Sequence, residues 1–127
     1  MKKINITEDI FVEYYYEEIT LIKAILHIKN NEVGSFYLYL KSDLENAILE
    51  SFLIKKDYLK KGFGKILAQS VILISKKENI ETIYLYAKPF NHKSINQNNL
   101  ILFYEKYLNM NIIAENEELG YYMCVEL

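Results

Sequence analysis

The stretch Asp57–Leu67, DYLKKGFGKIL, sets Gly62 and Gly64 one residue apart among Lys60, Lys61 and Lys65. Two of the chain's four glycines are here, and an apolar pattern at helical spacing follows: Phe63, Ile66, Leu67, Ser70, Val71 and Ile74. A basic glycine loop that opens a helix is suited to anions. The N–H groups of a helix's first turn have no internal partner, and the helix dipole favours negative charge beside them. Glycine lets the backbone come close to a ligand and take φ values that other residues resist. Phosphate is the anion such loops usually hold.

Two named phosphate motifs fail here. A P-loop needs Gly, four residues, then Gly-Lys-Ser/Thr, and Gly62-Phe63-Gly64-Lys65-Ile66 has neither the spacing nor the hydroxyl. A dinucleotide fingerprint needs a third glycine, where this chain has Leu67, and a βαβ unit that hairpin-forming strands do not supply.

The loop must be positioned by strands before it and a helix after it. Phe11–Tyr16, Ile19–Ile28 and Val33–Leu40 have β-branched and aromatic character, with Asn30-Asn31 as a tight turn between the last two. Lys41 to Asn46 reads as a turn, and Ala47–Ile54 as a fourth strand. The period then changes, giving a helix over about 64–78 with Lys76 and Lys77 in its last turn and Asn79 as its stop. Thr82–Ala87 is a strand with Tyr84 and Tyr86 on one face. Ser94-x-x-Gln97 reads as a capping box for a helix over about 95–108, whose apolar side carries Leu100, Ile101, Tyr104, Tyr107 and Leu108. Asn111–Ala114 and Tyr121–Val125 close the chain as short strands. The order β-β-β-β-α-β-α-β-β is an α+β arrangement in a single domain, 1–127.

Composition narrows the function. With 51% hydrophobic and 25% charged residues, the 127-residue chain reads as globular. A net charge of -2 supplies no global field for nucleic acid or anionic membranes, so an anion site must be local. The chain has no arginine, so every fixed cation is a lysine. A lone cysteine, Cys124, fits a reducing compartment and a small buried residue. No apolar run is long enough for a signal peptide or a membrane span, and the expected location is cytoplasmic. His27 and His92 have no partners at metal-ligand spacing, so no metal is expected.

The run Ala47–Leu67, AILESFLIKKDYLKKGFGKIL, resembles the acyl-CoA-binding segment of the GNAT family of N-acetyltransferases. In that family a strand ending in an apolar residue, here Ile54, is followed by a turn and Arg/Gln-x-x-Gly-x-Gly/Ala opening a helix. Leu59-Lys60-Lys61-Gly62-Phe63-Gly64 fills the motif, with Leu59 departing from its first position. Asn99–Met110, NLILFYEKYLNM, is similar to the family's second signature. The resemblance implies a mixed, mostly antiparallel twisted sheet of about six or seven strands with two main helices. It implies direct attack of a primary amine on the thioester of acetyl-CoA.

The pyrophosphate of coenzyme A would lie on Leu59, Lys60, Lys61, Gly62, Phe63, Gly64 and Lys65, with Leu59 leaving its work to backbone amides and lysines. A strand-edge amide near Phe52, Leu53 or Ile54 would face the thioester oxygen. Tyr104 matches the tyrosine that often serves as general acid, although it also suits a core position. Glu50 is the only carboxylate in its strand, placed by alternation on one face with Ile48, Phe52 and Ile54, and is the candidate base; a water relay is the alternative. Tyr84, Tyr86 and the Glu115–Glu118 cluster could border the acceptor, and each also reads as ordinary packing or a solvated turn.

Most of the family places two helices after the first strand, and their absence here points to an open acceptor side. That suits a protein lysine; a small, polyamine-like amine is the alternative, as is a non-catalytic acyl-CoA-binding module. Exposed strand edges allow a homodimer.

Overall fold

The computed structural model describes residues 1–87, 97–116 and 118–127. Five strands come first: β1 (Lys2–Asn5), β2 (Ile10–Glu18), β3 (Leu21–Ile28), β4 (Asn31–Leu40) and β5 (Asn46–Ile54), each antiparallel to the next. Helix α1 (Phe63–Lys77) then crosses to β6 (Thr82–Ala87), which runs parallel to β5. Helix α2 (Gln97–Leu108), β7 (Asn111–Asn116) and β8 (Gly120–Glu126) complete the chain. The eight strands form one sheet in the order β1-β2-β3-β4-β5-β6-β8-β7.

Strand alternation separates the two faces. Ile22, Ala24 and Leu26 of β3, Phe36, Leu38 and Leu40 of β4, and Ile83, Leu85 and Ala87 of β6 are buried on one face. Leu67, Ala68, Val71 and Ile74 of α1 and Ile101, Tyr104 and Leu108 of α2 join them in a single cluster. The helices touch each other and share this face. The opposite parity carries Tyr15, Lys23, Tyr37, Tyr39, Ile48, Glu50, Tyr84, Tyr86 and Tyr122, none of them fully buried. No helix occurs before α1 to cover that face apart from a single 3-10 turn, Lys56–Tyr58.

The α+β arrangement and the two helices are as expected, with eight strands where six or seven were anticipated. Strand β1, Lys-Lys-Ile-Asn, escaped notice because a four-residue edge strand buries too little to need an apolar pattern. The hairpin between β3 and β4 turns one residue earlier than Asn30-Asn31. Its loop is Lys29 (φ 49) and Asn30 (φ 74), flanked by the pair Ile28↔Asn31. Two positive φ values in a two-residue loop give the twist that antiparallel strands need. Helix α1 ends at Lys77, with Glu78 as its C-cap and Asn79 at φ 60, as the stop signal required. Pro89, His92 and the Ser94 capping box lie outside the described residues.

Glu78 also fastens the far strands to α1. Its Oε2 accepts from Lys2 Nζ and Tyr14 Oη, each at 2.8 Å, and its Oε1 accepts from Tyr16 Oη at 2.8 Å. Burial works to raise the Glu78 carboxyl, but the three donors outweigh it and hold it below the usual carboxylate range. A depressed folded pKa means the stabilisation is complete above the ordinary carboxylate value and is lost as pH falls through the folded one. Glu78→Gln is expected to lower unfolding free energy by roughly 2 kcal/mol at neutral pH. Denaturant midpoints for the two proteins should converge as pH drops below about 4.

Candidate active site

The site begins where two strands part. β5 and β6 pair only at Asn46↔Thr82, Ala47↔Ile83 and Ile48↔Tyr84. From Leu49 to Ile54, β5 keeps its ladder to β4 but has no strand partner on the β6 side among the described residues. A bulge falls in the same segment. The register passes from Tyr37↔Glu50 to Ser35↔Leu53, and Ser51 takes φ 53.

That extra residue reverses the side-chain parity. Ala47 and Leu49 face the helices before the bulge, and Phe52 and Ile54 face them after it. Phe52 lies against Phe36, Phe103 and Tyr104, with ring centroids 6.3, 5.9 and 6.0 Å away. Glu50 therefore does not share a face with Phe52 and Ile54, as simple alternation predicts. It stands with Ile48 on the open face, exposed. Gly34 makes room for this turn of the chain, since a Cβ there would come within 2.7 Å of Ile54 Cδ1 and 2.9 Å of the Leu53 carbonyl oxygen.

Tyr104 lies on the helix side, 7% exposed. Burial pushes its phenol up to about 12, so the hydroxyl keeps its proton throughout the neutral range. Phe52 touches Tyr104 and belongs to the segment of β5 that flanks the opening. Glu50 and Tyr104 thus sit on opposite faces of the sheet beside one gap.

The glycine loop follows β5 through the 3-10 turn. Lys60 takes φ 60, and Gly62, the N-cap of α1, takes φ 85. No side chain caps the helix, its first turn holds no acid, and the Ile66 N–H donates back to the Gly62 carbonyl at 3.4 Å. The amides of Phe63, Gly64 and Lys65 precede that bond and have no partner within the helix. Nothing lies within 4 Å of the position a Gly62 Cβ would take. Lys60, Lys61 and Lys65 are exposed. Open amides, free space over Gly62 and exposed ammonium groups, two of them over the Tyr58 and Tyr107 rings, fit a phosphate-bearing ligand.

Gly64 has a second use: its Cβ position is 3.4 Å from the Phe103 ring, so α1 packs against α2 one residue from Tyr104. Spacing within the loop could not show this contact across the fold.

The acetyltransferase (GNAT) family model matches residues 8–110. The chain belongs to that family. It is an acetyl-CoA-dependent N-acetyltransferase, with acetyl-CoA as co-substrate. Among solved structures it is similar to the ribosomal-protein-S18-alanine N-acetyltransferase of Escherichia coli, with TM-score 0.66 and 17% identity over 87% of this chain and 71% of that one. A Bacillus subtilis acetyltransferase in complex with CoA gives TM-score 0.68 and 15% identity, covering 91% and 97% of the two chains. A GNAT acetyltransferase from Elizabethkingia anophelis with acetyl-CoA bound gives TM-score 0.70 and 12% identity, covering 95% and 100%. No curated protein matches the sequence.

Of the remaining candidates, His27 lies on β3, away from the opening. His27 Nε2 lies 3.1 Å from Glu13 Oε1, and its ring stacks on Phe11 at 4.8 Å. No group of His, Cys, Asp or Glu among the described residues could hold a metal. Cys124 is a half-buried free thiol on β8. No helix among the described residues is long and apolar enough to cross a membrane. The Tyr122 ring is stacked on Tyr84 and tilted against Tyr86, contacts that spacing along the sequence does not show. The alternation of β8 puts it on that face, but only the pairing of β6 with β8 brings the rings together.

Leu59 is 43% exposed at the start of the loop, so a longer cationic side chain meets no obstacle there. Leu59→Arg is expected to tighten acetyl-CoA binding by roughly five- to tenfold, the scale of one added charged hydrogen bond. Calorimetric titration checks this, and an unchanged affinity would place position 59 outside the anion site.

Proposed function

We propose that this enzyme acetylates lysine side chains on protein segments, with Glu50 receiving the amine's proton and Tyr104 supplying one to the departing thiol. The observation that carries this reading is the gap beyond Ile48↔Tyr84, with a sheet face that no helix among the described residues covers on one side and a buried, protonated phenol on the other. Bound acetyl-CoA supplies an activated acyl thioester.

The chain's own residues divide the work. The amides of Phe63, Gly64 and Lys65, with Lys60 and Lys61, bind the diphosphate. Backbone groups of Phe52 and Leu53, on the strand that β6 leaves unpaired, orient the acyl oxygen. Glu50 takes a proton from the incoming ammonium, directly or through one water, which leaves nitrogen a lone pair for attack. Tyr104 holds its proton on Oη, where a leaving sulfur can take it.

The openness of the acceptor side supports a protein acceptor. A small metabolite normally needs a pocket that buries most of its surface. A concavity lined by Asn109, Asn111, Ile113, Cys124, Val125 and Glu126 lies at the other end of β6, where Thr82 pairs with Glu126.

Thiol release from acetyl-CoA, measured over a panel of proteins and small amines, tests the reading. A gain of one acetyl mass on a protein lysine is the expected result. Turnover only with free polyamines would overturn the protein acceptor, and cofactor binding with no turnover would overturn the chemistry. Tyr104→Phe should lower kcat by more than roughly tenfold while the KM for acetyl-CoA stays within about twofold. Glu50→Gln should flatten the acidic limb of the kcat/KM pH profile; a profile identical to that of the unaltered enzyme would remove Glu50 from proton transfer.

A further inference from the structure

The helix-free face presents six tyrosines: Tyr15 on β2, Tyr37 and Tyr39 on β4, Tyr84 and Tyr86 on β6, and Tyr122 on β8. Three of them form a continuous stack: Tyr84 lies on Tyr122 at 5.4 Å and 10°, and Tyr86 lies on Tyr122 at 4.6 Å and 32°. The face already holds ammonium groups on its rings. Lys41 Nζ sits 4.2 Å from the Tyr84 centroid, and Lys23 Nζ sits 5.4 Å from that of Tyr37. Among the described residues no lysine lies over Tyr86 or Tyr122, and Tyr86 is 43% exposed.

The position of these rings matters more than their number. Ile48↔Tyr84 is the last pair before the strands part. Two residues further along the two strands stand Glu50 and Tyr86, both on the open face. They are the first side chains of that face on either side of the gap. A phenol ring attracts a cation through the negative potential of its face, and a neutral group of the same shape gains nothing comparable.

We propose that Tyr86, backed by the Tyr122 ring, forms with Glu50 across the gap the seat that recognises the acceptor as a cation: the ammonium of a lysine in an extended segment lying over the open face. This rests on the protein-lysine reading above. Tyr86 is the specificity residue under this proposal, Tyr122 positions its ring, and Glu50 is where recognition passes into proton removal. Lys41 on Tyr84 is the intramolecular counterpart of the docked side chain.

Three flexible peptides of one sequence test it, carrying lysine, N6-trimethyllysine or norleucine at the same position. Trimethyllysine keeps the cation but cannot be acetylated. It should compete with the lysine peptide, with a Ki within about threefold of that peptide's KM, while the norleucine peptide competes at least about tenfold more weakly. Tyr86→Leu combined with Tyr122→Leu should raise both the lysine-peptide KM and the trimethyllysine Ki by about tenfold, leaving the acetyl-CoA KM unchanged. The matching double phenylalanine variant keeps the rings and should retain the wild-type Ki. Equal competition by norleucine, or loss of Ki in the phenylalanine variant, overturns the proposal. If no lysine peptide is turned over, calorimetry with the trimethyllysine peptide still decides. Binding by the wild-type protein and its loss in the leucine variant support the seat, and absence of binding refutes it.

Discussion

The parting of β5 from β6 is the constraint on which the rest of the site depends. A parallel pair that stayed zipped would occupy every backbone group of both strands and leave no passage between the faces. Here the ladder stops at Ile48↔Tyr84, while β5 remains fixed to β4 on its other side. The bulge at Ser51 makes the divergence compatible with a packed core. It sends Phe52 down among Phe36, Phe103 and Tyr104, so an aromatic wedge fills the space under the strand's free edge. Gly34 is part of the same solution, because a side chain there would strike Ile54 and the Leu53 carbonyl. A local irregularity is thereby held by burial on one face and by close backbone approach on the neighbouring strand.

The two faces serve different ends. Both helices and nearly all the buried apolar side chains lie on one of them, which makes that side rigid and dry. A phenol placed there is desolvated, and its raised pKa follows from that burial. The other face carries tyrosines, whose rings pack on the sheet while their hydroxyls stay with water, so it can remain uncovered without exposing a purely apolar patch. The far strands β1 and β2 lie beyond the reach of α2, and Glu78 ties them to the end of α1 through three donors. That tie leaves the open face clear, since Tyr14 and Tyr16 point towards the helices.

Legibility in the sequence follows the range of the interactions. The glycine loop, the helix stop at Asn79 and the order of elements are set by neighbours within a few residues, and each could be read directly. The seven longer strands follow the expected order, whereas β1 is too short and polar to signal itself. The face of Glu50 differs from the one alternation predicts, because period-2 alternation assumes an unbroken strand. Nothing in Leu49-Glu50-Ser51-Phe52 announces a bulge; it is fixed by Gly34 opposite and by Phe103 and Tyr104 on a helix some 50 positions away. The Tyr84–Tyr122–Tyr86 stack was hidden for the same reason, being made by strands 36 or more positions apart.

Gly64 links the two halves of the site more tightly than the anion motif alone would suggest. Its missing side chain lets the first turn of α1 rest on Phe103, which in turn meets Tyr104 at 5.5 Å and Phe52 at 5.9 Å. The open amides at the start of α1 and the phenol beside the gap are therefore positioned by one aromatic cluster. A displacement of α1's first turn cannot leave Tyr104 untouched, because a close-packed core transmits volume changes rather than absorbing them. This coupling gives a physical reason for two glycines where a single left-handed residue, Gly62, would suffice to start the helix. The first supplies the backbone conformation, and the second supplies the close packing that sets the distance between the glycine loop and the Tyr104 phenol.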